Sequence, residues 1–168
     1  MGYVFVLGGA RSGKSDLADR LGLESGRDVT FVATATPGDE EMARRIADHR
    51  ASRPERWSTV EAPLDLAAAI DTAPNSGFVI VDCLTLWVSN LLGAGRAAEQ
   101  IRLLADEVAQ TMAGRDGVVV SNEVGLGIVP ANALAREFRD VLGAVNVTFA
   151  RCAERSVLMV AGRALELA

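Results

Sequence analysis

Short apolar runs alternate along the chain with longer segments in which apolar residues recur at helical spacing. The runs are apolar throughout, as in Val79-Ile80-Val81 and Val118-Val119-Val120. Strands buried on both faces of a parallel sheet have this composition, and alternation of strands with helices is typical of a doubly wound α/β fold. The pattern predicts strands at Tyr3–Leu7, Asp28–Ala33, Phe78–Asp82, Gly117–Ser121 and Ser156–Ala161. It predicts helices at Lys14–Ser25, Asp39–Arg53, Leu84–Leu92, Ala97–Ala113 and Ala131–Ala150, with a further segment at Pro63–Ala73.

Clusters of Gly and Pro, such as Pro37-Gly38 and Pro74-Asn75-Ser76-Gly77, mark the boundaries between these elements. No linker divides the 168 residues, so we expect residues 1–168 to form a single domain. No apolar run approaches the roughly 20 residues that span a bilayer. The first residues lack the basic region of a signal peptide. We therefore expect a protein of the cytoplasm without a membrane span.

The chain is acidic, with a net charge of −5. A nucleic-acid-binding protein would normally present a basic face, and no basic stripe is evident, so small-molecule ligands are expected instead of nucleic acid. Of the 17 basic residues, the only lysine is Lys14. Cys83 and Cys152 lack metal-binding spacing and are interpreted as small packed residues.

A phosphate-binding motif follows the first predicted strand. Gly8-Gly9-Ala10-Arg11-Ser12-Gly13-Lys14-Ser15 matches the G-x-x-x-x-G-K-[ST] pattern in full. Its glycines let backbone N–H groups converge on phosphates at the start of a helix. Lys14 would reach the β- and γ-phosphates, and the Ser15 hydroxyl would coordinate Mg²⁺. The alternative is a chance Gly-rich turn. The strand-loop-helix context and the lone lysine both favour the phosphate-binding loop over that alternative.

A second metal ligand is predicted at Asp82, where an apolar strand ends in a carboxylate. Proteins with this phosphate loop use such an acid to hold Mg²⁺, and we assign Asp82 to the metal directly or through water. The alternative is a solvated aspartate at a strand end.

The only histidine, His49, lies on the second predicted helix. Arg45, His49 and Arg53 follow at i, i+4 spacing, which would place an imidazole between two guanidinium groups on one stripe. Such a stripe suits polyphosphate binding with a nucleophile or base in its centre. Ordinary surface ion pairs give the same spacing, so the pattern by itself favours an exposed histidine on a charged helix.

Asn122-Glu123-Val124-Gly125 follows the predicted strand Gly117–Ser121, at the sheet edge where ligands gather in α/β folds. Glu123 could orient or deprotonate a substrate hydroxyl, or the segment could be a tight turn before the next helix. Both interpretations stay open. Trp57 and Trp87 are predicted to pack in the core or an interface.

Taken together, these motifs resemble the bifunctional adenosylcobinamide kinase / adenosylcobinamide-phosphate guanylyltransferase family of cobalamin biosynthesis (the CobU/CobP family). The resemblance runs nearly from end to end, and its most specific part is Asn122-Glu123-Val124-Gly125-Leu126-Gly127-Ile128-Val129-Pro130. The other matching pieces are the phosphate loop, Ala33-Thr34-Ala35, Asp39-Glu40-Glu41-Met42, Arg45-Ile46, His49, Arg53-Pro54, Trp57, Thr59, Glu61, Asp82-Cys83-Leu84-Thr85, Asn90-Leu91-Leu92, Arg136, Phe138-Arg139-Asp140 and Asn146.

The resemblance implies two reactions on one corrinoid. ATP or GTP would phosphorylate the aminopropanol hydroxyl of adenosylcobinamide, and GTP would then donate GMP through a guanylyl-histidine at His49, with Lys14 as the second catalytic residue. Mg²⁺, a RecA-like sheet and a homotrimer are also implied. Some relatives have a His-His pair where this chain has Asp48-His49, so Asp48 is a candidate modulator of the imidazole. The implied nucleotide contacts are Gly8 to Ser15, Ala33, Thr34, Ala35, Arg50, Ala51, Ser52, Arg53, Glu61 and Asp82.

Two other functions compete with this one. The first is a monofunctional phosphate-loop kinase for another small metabolite, in which His49 is inert. The second is a RecA-like NTPase module acting on nucleic acid or protein, which the acidic charge opposes.

Overall fold

In a computed structural model of the chain, residues 2–38, 40–51 and 53–167 are described, apart from the side chains of Glu41, Met42 and Arg45. Within these residues seven strands form one sheet. They are β1 (Tyr3–Gly8), β2 (Val29–Ala33), β3 (Ser58–Glu61), β4 (Phe78–Asp82), β5 (Asp116–Val120), β6 (Arg155–Val160) and β7 (Arg163–Leu167). The helices are α1 (Lys14–Glu24), α2 (Glu40–Ala51), α3 (Leu66–Asp71), α4 (Leu84–Gly93), α5 (Ala98–Ala113) and α6 (Ala133–Cys152).

The strand order is β3-β2-β4-β5-β1-β6-β7, and all neighbours are parallel except β6 and β7. The register pairs Val6 of β1 with Val120 of β5, and Asp82 of β4 with the same Val120. The carboxyl ends of β1, β4 and β5 therefore lie side by side, where open α/β sheets bind their ligands. The predicted α/β class and its mostly parallel, doubly wound sheet are confirmed.

Two apolar clusters cover the two faces of the sheet. Alternate residues of β1 divide between them, with Phe5 in one cluster and Val6 in the other, as the two-residue period of a strand requires. Helices α3 to α6 pack on the first face, and α1 packs on the second together with Trp57. Trp87 is fully buried, and its indole N–H donates to the Leu64 carbonyl at 2.8 Å. Both tryptophans are core residues, as predicted.

Helix α2 differs from the other helices in its packing. Among the side chains that the structure describes, none from α2 belongs to either core cluster. The helix ends at Ala51, whereas the sequence predicted Asp39–Arg53. Arg53 therefore does not continue a helical stripe with His49. Asp39 and Ser52 lie outside the described residues, as does the Arg45 side chain.

Two strands were not predicted. β3 has the sequence Ser58-Thr59-Val60-Glu61 and β7 has Arg163-Ala164-Leu165-Glu166-Leu167, and each forms one edge of the sheet. Edge strands with mixed polar composition lack the apolar runs that mark central strands. Within the described residues, no helix combines the length and the apolar character that crossing a bilayer requires.

Candidate nucleotide-binding site

The phosphate loop joins β1 to α1 at the carboxyl edge of the sheet. Gly13 precedes the first residue of α1 with φ 94° and ψ 15°, a left-handed conformation that favours glycine. A Cβ atom at Gly13 would lie 3.2 Å from Gly162 Cα, in the turn between β6 and β7. The Gly162 N–H also donates to the Ser12 carbonyl at 3.0 Å. The β6–β7 turn thus supports the phosphate loop from behind.

Lys14 begins helix α1, and its side chain folds back over the loop. Its Nζ donates to the Gly9 carbonyl at 2.6 Å, and the residue is buried. Burial lowers the pKa of Lys14 from its ordinary value, whereas nearby Cys83 and Asp82 act in the opposite direction. The ammonium is therefore held at the loop, where it can contact phosphate oxygens.

Ser15 and Asp82 come together at the junction of α1 and β4. The Ser15 hydroxyl donates to Asp82 Oδ2 at 3.4 Å. Burial raises the pKa of Asp82, and this effect is opposed by His49, Arg53, the Ser15 hydrogen bond and Lys14. Within the described residues, no group of three His, Cys, Asp or Glu side chains could hold a metal by itself. A hydroxyl beside a carboxylate fits Mg²⁺, which takes few protein ligands and completes its shell with phosphate and water oxygens.

Thr34 positions the end of β4. It is fully buried, its hydroxyl donates to the Cys83 carbonyl at 2.8 Å, and it accepts from the Cys83 N–H at 2.8 Å. Asn90 Nδ2 in turn donates to the Thr34 carbonyl at 2.8 Å and to the Pro63 carbonyl at 3.1 Å. The structure places Thr34 behind Asp82 as a support.

A cavity of about 650 Å³ lies over these residues. Most of the predicted site residues line it, namely the catalytic candidate His49 and the nucleotide contacts Ala10, Arg11, Ser12, Gly13, Lys14, Ser15, Ala33, Ala35, Arg50, Arg53, Glu61 and Asp82. Predicted residues that do not line it, among those described, are Gly8, Gly9, Thr34 and Ala51. The volume is in the range of pockets that hold one ligand of nucleotide size.

Arg53 forms part of the cavity wall, although it lies beyond the end of α2. Its guanidinium carbon is 3.4 Å from the centroid of the Phe31 ring, and its Nη1 donates to Thr59 Oγ1 at 3.5 Å. Burial lowers the pKa of Arg53, while Asp82 and Asp19 act to raise it. Arg53 is thus a fixed cation at the cavity, held by an aromatic ring of the sheet.

His49 and Arg50 occupy the last turn of α2 and line the same cavity. His49 is exposed, and it is among the groups that counter the burial of Asp82. Arg50 Nη1 lies 3.8 Å from Glu61 Oε1, with both side chains about two-thirds exposed. One cavity therefore brings together an imidazole, the guanidinium groups of Arg50 and Arg53, and the phosphate loop with its Arg11 and Lys14.

The cavity has six further lining residues, and of these the sequence had placed only Asn122, with its segment, at the sheet edge where ligands gather. They are Asp16, Ile46, Thr59, Cys83, Leu86 and Asn122. Cys83 and Asn122 each follow closely on the end of a central strand. That position had marked the Asn122 segment in the sequence, and it was the available signal for Cys83 as well, because the strand ends meet at one sheet edge.

A phosphate loop at the carboxyl edge of a parallel sheet, with a strand-end carboxylate beside its serine, defines a P-loop nucleotide-binding protein. The fold is similar to the crystal structure of the RadB recombinase, with a TM-score of 0.53 and 17% identity over 94% of this chain and 73% of that one. This similarity supports the predicted RecA-like P-loop fold. Residues 4–167 match the family described as cobinamide kinase / cobinamide phosphate guanyltransferase, and the chain belongs to that family.

Relatives with assigned names are similar to this chain over nearly its whole length. The bifunctional adenosylcobalamin biosynthesis protein CobP of Pseudomonas aeruginosa is 47% identical over 96% of this chain and 95% of the relative. The CobU proteins of Salmonella typhimurium and Escherichia coli are 39% and 41% identical, each over 95% of this chain and 96% of the relative. The resemblance inferred from the motifs is confirmed, and with it the assignment to cobalamin biosynthesis as a kinase and guanylyltransferase.

Proposed function

We propose that this chain phosphorylates adenosylcobinamide with ATP or GTP and then transfers GMP from GTP to the product through a covalent intermediate at His49. The observation that carries this proposal is the shared cavity, which His49, Lys14 and Asp82 all line. Its volume of about 650 Å³ suits one bound nucleotide. Two different reactions of a triphosphate can then use one phosphate-binding loop.

In the kinase step, the hydroxyl oxygen of the substrate attacks the γ-phosphorus and the bond to the β–γ bridging oxygen breaks. The nucleoside diphosphate leaves, and the hydroxyl proton passes to solvent. Lys14 and the loop N–H groups hold the phosphate oxygens where negative charge develops. Positioning and charge stabilisation of this kind supply most of the catalysis in phosphoryl transfer.

In the transferase step, an unprotonated ring nitrogen of His49 attacks the α-phosphorus of GTP. A P–N bond forms, the bond between the α-phosphorus and the α–β bridging oxygen breaks, and pyrophosphate leaves. A phosphate oxygen of the corrinoid then attacks the same phosphorus and the P–N bond breaks, giving adenosylcobinamide-GDP. Arg53, which lines the cavity, neutralises charge on the phosphates in both proposed steps.

Ser15 and Asp82 are proposed to hold Mg²⁺, since the hydroxyl and carboxylate already lie within 3.4 Å of each other. Bound Mg²⁺ supplies charge neutralisation on the triphosphate oxygens. The remaining predicted nucleotide contacts, Gly8, Gly9, Thr34, Ala51 and Ser52 among them, stay predictions, as does a modulating role for Asp48.

The proposal includes a corrinoid substrate, no nucleic-acid partner, a homotrimeric assembly and a cytoplasmic location. The net charge of −5 supports the absence of a nucleic-acid partner. Sedimentation equilibrium tests the homotrimeric assembly. The cytoplasm is where the ATP and GTP consumed by both reactions are available.

The test is to incubate the protein with GTP labelled at the α-phosphorus and to isolate the protein under denaturing conditions. We expect a label that is stable in base and labile in acid, as a phosphoramidate is, and a GMP adduct on His49 by peptide mass spectrometry. H49A should lose the label and keep phosphorylation of cobinamide by ATP. R44A is the matched control, because Arg44 is exposed on the same helix and does not line the cavity.

Two results would contradict the transferase proposal. One is a label of equal intensity in H49A, and the other is complete absence of label in a protein that still phosphorylates cobinamide. The second result would identify a monofunctional kinase with an inert histidine.

A further inference from the structure

The loop between β5 and α6 presents a group of large apolar side chains to solvent. Leu126 is 86% exposed, Ile128 is 98% exposed and Val129 is 62% exposed. Leu134, in the first turn of α6, adds a further side chain that is 64% exposed. Single exposed apolar residues are common, but a contiguous group of this kind marks an interaction site. We call residues 124–130 the apolar loop.

The apolar loop is anchored at both ends. At its start, the Asn122 N–H donates to Thr85 Oγ1 at 2.8 Å, and Asn146 Nδ2 donates to the Asn122 carbonyl at 3.1 Å. At its end, Arg136 Nη1 donates to the Pro130 carbonyl at 2.9 Å. These bonds tie the loop to α4 and α6, so its apolar side chains are held outward by a fixed base.

The base of the loop also adjoins the nucleotide cavity. Asn122 lines that cavity, and the Glu123 N–H donates to the Gly8 carbonyl at 3.2 Å, at the start of the phosphate loop. Whatever covers the apolar loop therefore lies at the rim of the cavity, beside the place where a triphosphate would bind.

The size of the corrinoid substrate indicates which part of it binds at the rim of the cavity. A cavity of about 650 Å³ accommodates one nucleotide and leaves no room for a corrin macrocycle as well. The aminopropanol hydroxyl must nevertheless reach the γ-phosphate. The macrocycle must then rest on the protein surface next to the phosphate loop, and its alkyl-substituted faces need an apolar support.

The charges of the substrate and of this segment also favour binding of the corrin ring at the apolar loop. A cobalt(III) corrin with one alkyl ligand carries a net positive charge, because the macrocycle and the alkyl group each contribute one negative charge. Glu123 is the only charged residue in the segment from Asn122 to Pro130. Its carboxylate accepts a hydrogen bond from the Gly125 N–H, which holds it at the base of the loop.

We propose that the apolar loop, with Glu123 at its base, is the surface on which the corrin ring docks during both reactions. This inference rests on the proposed function for the identity of the substrate. The loop supports one face of the ring, and the aminopropanol arm extends past Asn122 to the nucleotide.

The test compares the double variant Leu126→Ser/Ile128→Ser with wild type. Both side chains are exposed, so the substitutions remove apolar contacts for a ligand without disturbing the core. We expect the Kd for cobinamide, measured by tryptophan fluorescence, and the KM for cobinamide in the kinase assay to rise about tenfold or more. The Kd for GTP should not change. The matched control is Leu103→Ser/Leu165→Ser, which removes two apolar side chains that are 62% and 57% exposed elsewhere on the chain.

Glu123→Gln tests the charge. The variant should bind cobinamide several-fold more weakly at low salt, and its affinity should depend less on ionic strength than that of wild type. Equal salt dependence in the two proteins would overturn the role given to Glu123.

The competing occupant of the apolar loop is a second copy of the chain. If Leu126→Ser/Ile128→Ser changes the molar mass by light scattering while the control does not, the loop is a subunit interface and the inference is wrong. An unchanged cobinamide Kd overturns it equally. Wild type that takes up the GMP label and binds cobinamide, with a Kd that the loop variant leaves unchanged, overturns this inference alone. The remaining outcome is that wild type binds cobinamide, the loop variant binds it more weakly, and no GMP label appears. That outcome supports the docking surface and overturns only the His49 step.

Discussion

The guanidinium carbon of Arg53 lies 3.4 Å from the centroid of the Phe31 ring. Phe31 belongs to β2 in the core of the sheet, and its burial fixes the ring. The contact holds a cation in the cavity wall after α2 has ended, and the charge of Arg53 helps to counter the burial of Asp82. The Phe31 ring thereby fixes the position of a cation that acts on Asp82.

Replacing Arg53 with lysine should weaken nucleotide binding although the charge is kept. A lysine ammonium lacks the planar guanidinium that stacks on Phe31 and bonds to Thr59. Cation–π contacts contribute about 0.5–2 kcal/mol, so the Kd for GTP should rise roughly 2- to 30-fold by titration calorimetry. R44K, exposed on α2 and outside the cavity, should bind GTP like wild type. Identical affinities for R53K and R44K would show that the stack does not serve nucleotide binding.

Asp82 should make the stability of the protein depend on pH. Burial raises the pKa of Asp82 in the folded state above its unfolded value of about 3.9. The folded state therefore binds this proton more tightly, and the stability it contributes is complete below the unfolded pKa and is lost as pH rises through the folded pKa. We expect the unfolding free energy of wild type to fall relative to that of D82N over this interval in urea titrations.

The control for this measurement is E107Q, which neutralises an exposed carboxylate on α5. Its stability should follow that of wild type across the same pH range. If D82N and wild type run parallel at every pH, the folded and unfolded pKa values of Asp82 are equal, and burial has no net effect on this carboxylate.

The central part of the fold could be predicted from the sequence because its signals are local. β1, β2, β4 and β5 are apolar runs buried on both faces, and their bounds were predicted to within a residue or two. The edge strands β3 and β7 carry no such signal, because half of each strand's environment is solvent. Their positions depend on pairing with β2 and β6, which the order of residues does not reveal.

The site, too, has some features that the sequence predicts and others that it does not. The phosphate loop and Asp82 were predicted because a motif and a strand end are visible in sequence. The stacking of Arg53 on Phe31 and the hydrogen bond from the Thr34 N–H to the Asp82 carbonyl join residues from separate elements. The sequence suggested instead a helical stripe through Arg53, which failed because α2 ends at Ala51. Contacts of this kind follow from tertiary packing and not from periodicity.

Gly13→Ala should damage the phosphate loop through backbone strain. Its φ of 94° is costly for alanine, and the new Cβ would lie 3.2 Å from Gly162 Cα. We expect a loss of about 1–3 kcal/mol in unfolding free energy together with weaker GTP binding, since the loop must shift to relieve the strain. Gly9→Ala is the control for stability, because a Cβ at Gly9 would meet no atom within 4 Å. Equal urea midpoints for the two variants would show that the turn at Gly162 yields without cost.

Asn146→Ala should separate the anchoring of the apolar loop from nucleotide binding. Asn146 is 6% exposed on α6, its Oδ1 accepts from the Ser121 hydroxyl at 2.6 Å, and its Nδ2 donates to the Asn122 carbonyl. Alanine leaves both partners unsatisfied, which should cost about 1–3 kcal/mol of stability in urea unfolding. Because the lost bonds hold the start of the loop, the KM for cobinamide should rise while the Kd for GTP stays near that of wild type. T148A, also on α6, removes an exposed hydrogen bond to Asp106 of α5; it should change neither constant and should cost less than about 1 kcal/mol. A rise in the GTP Kd of N146A as large as the rise in its cobinamide KM would mean that Asn146 supports the whole sheet edge, and that the loop has no separate anchor.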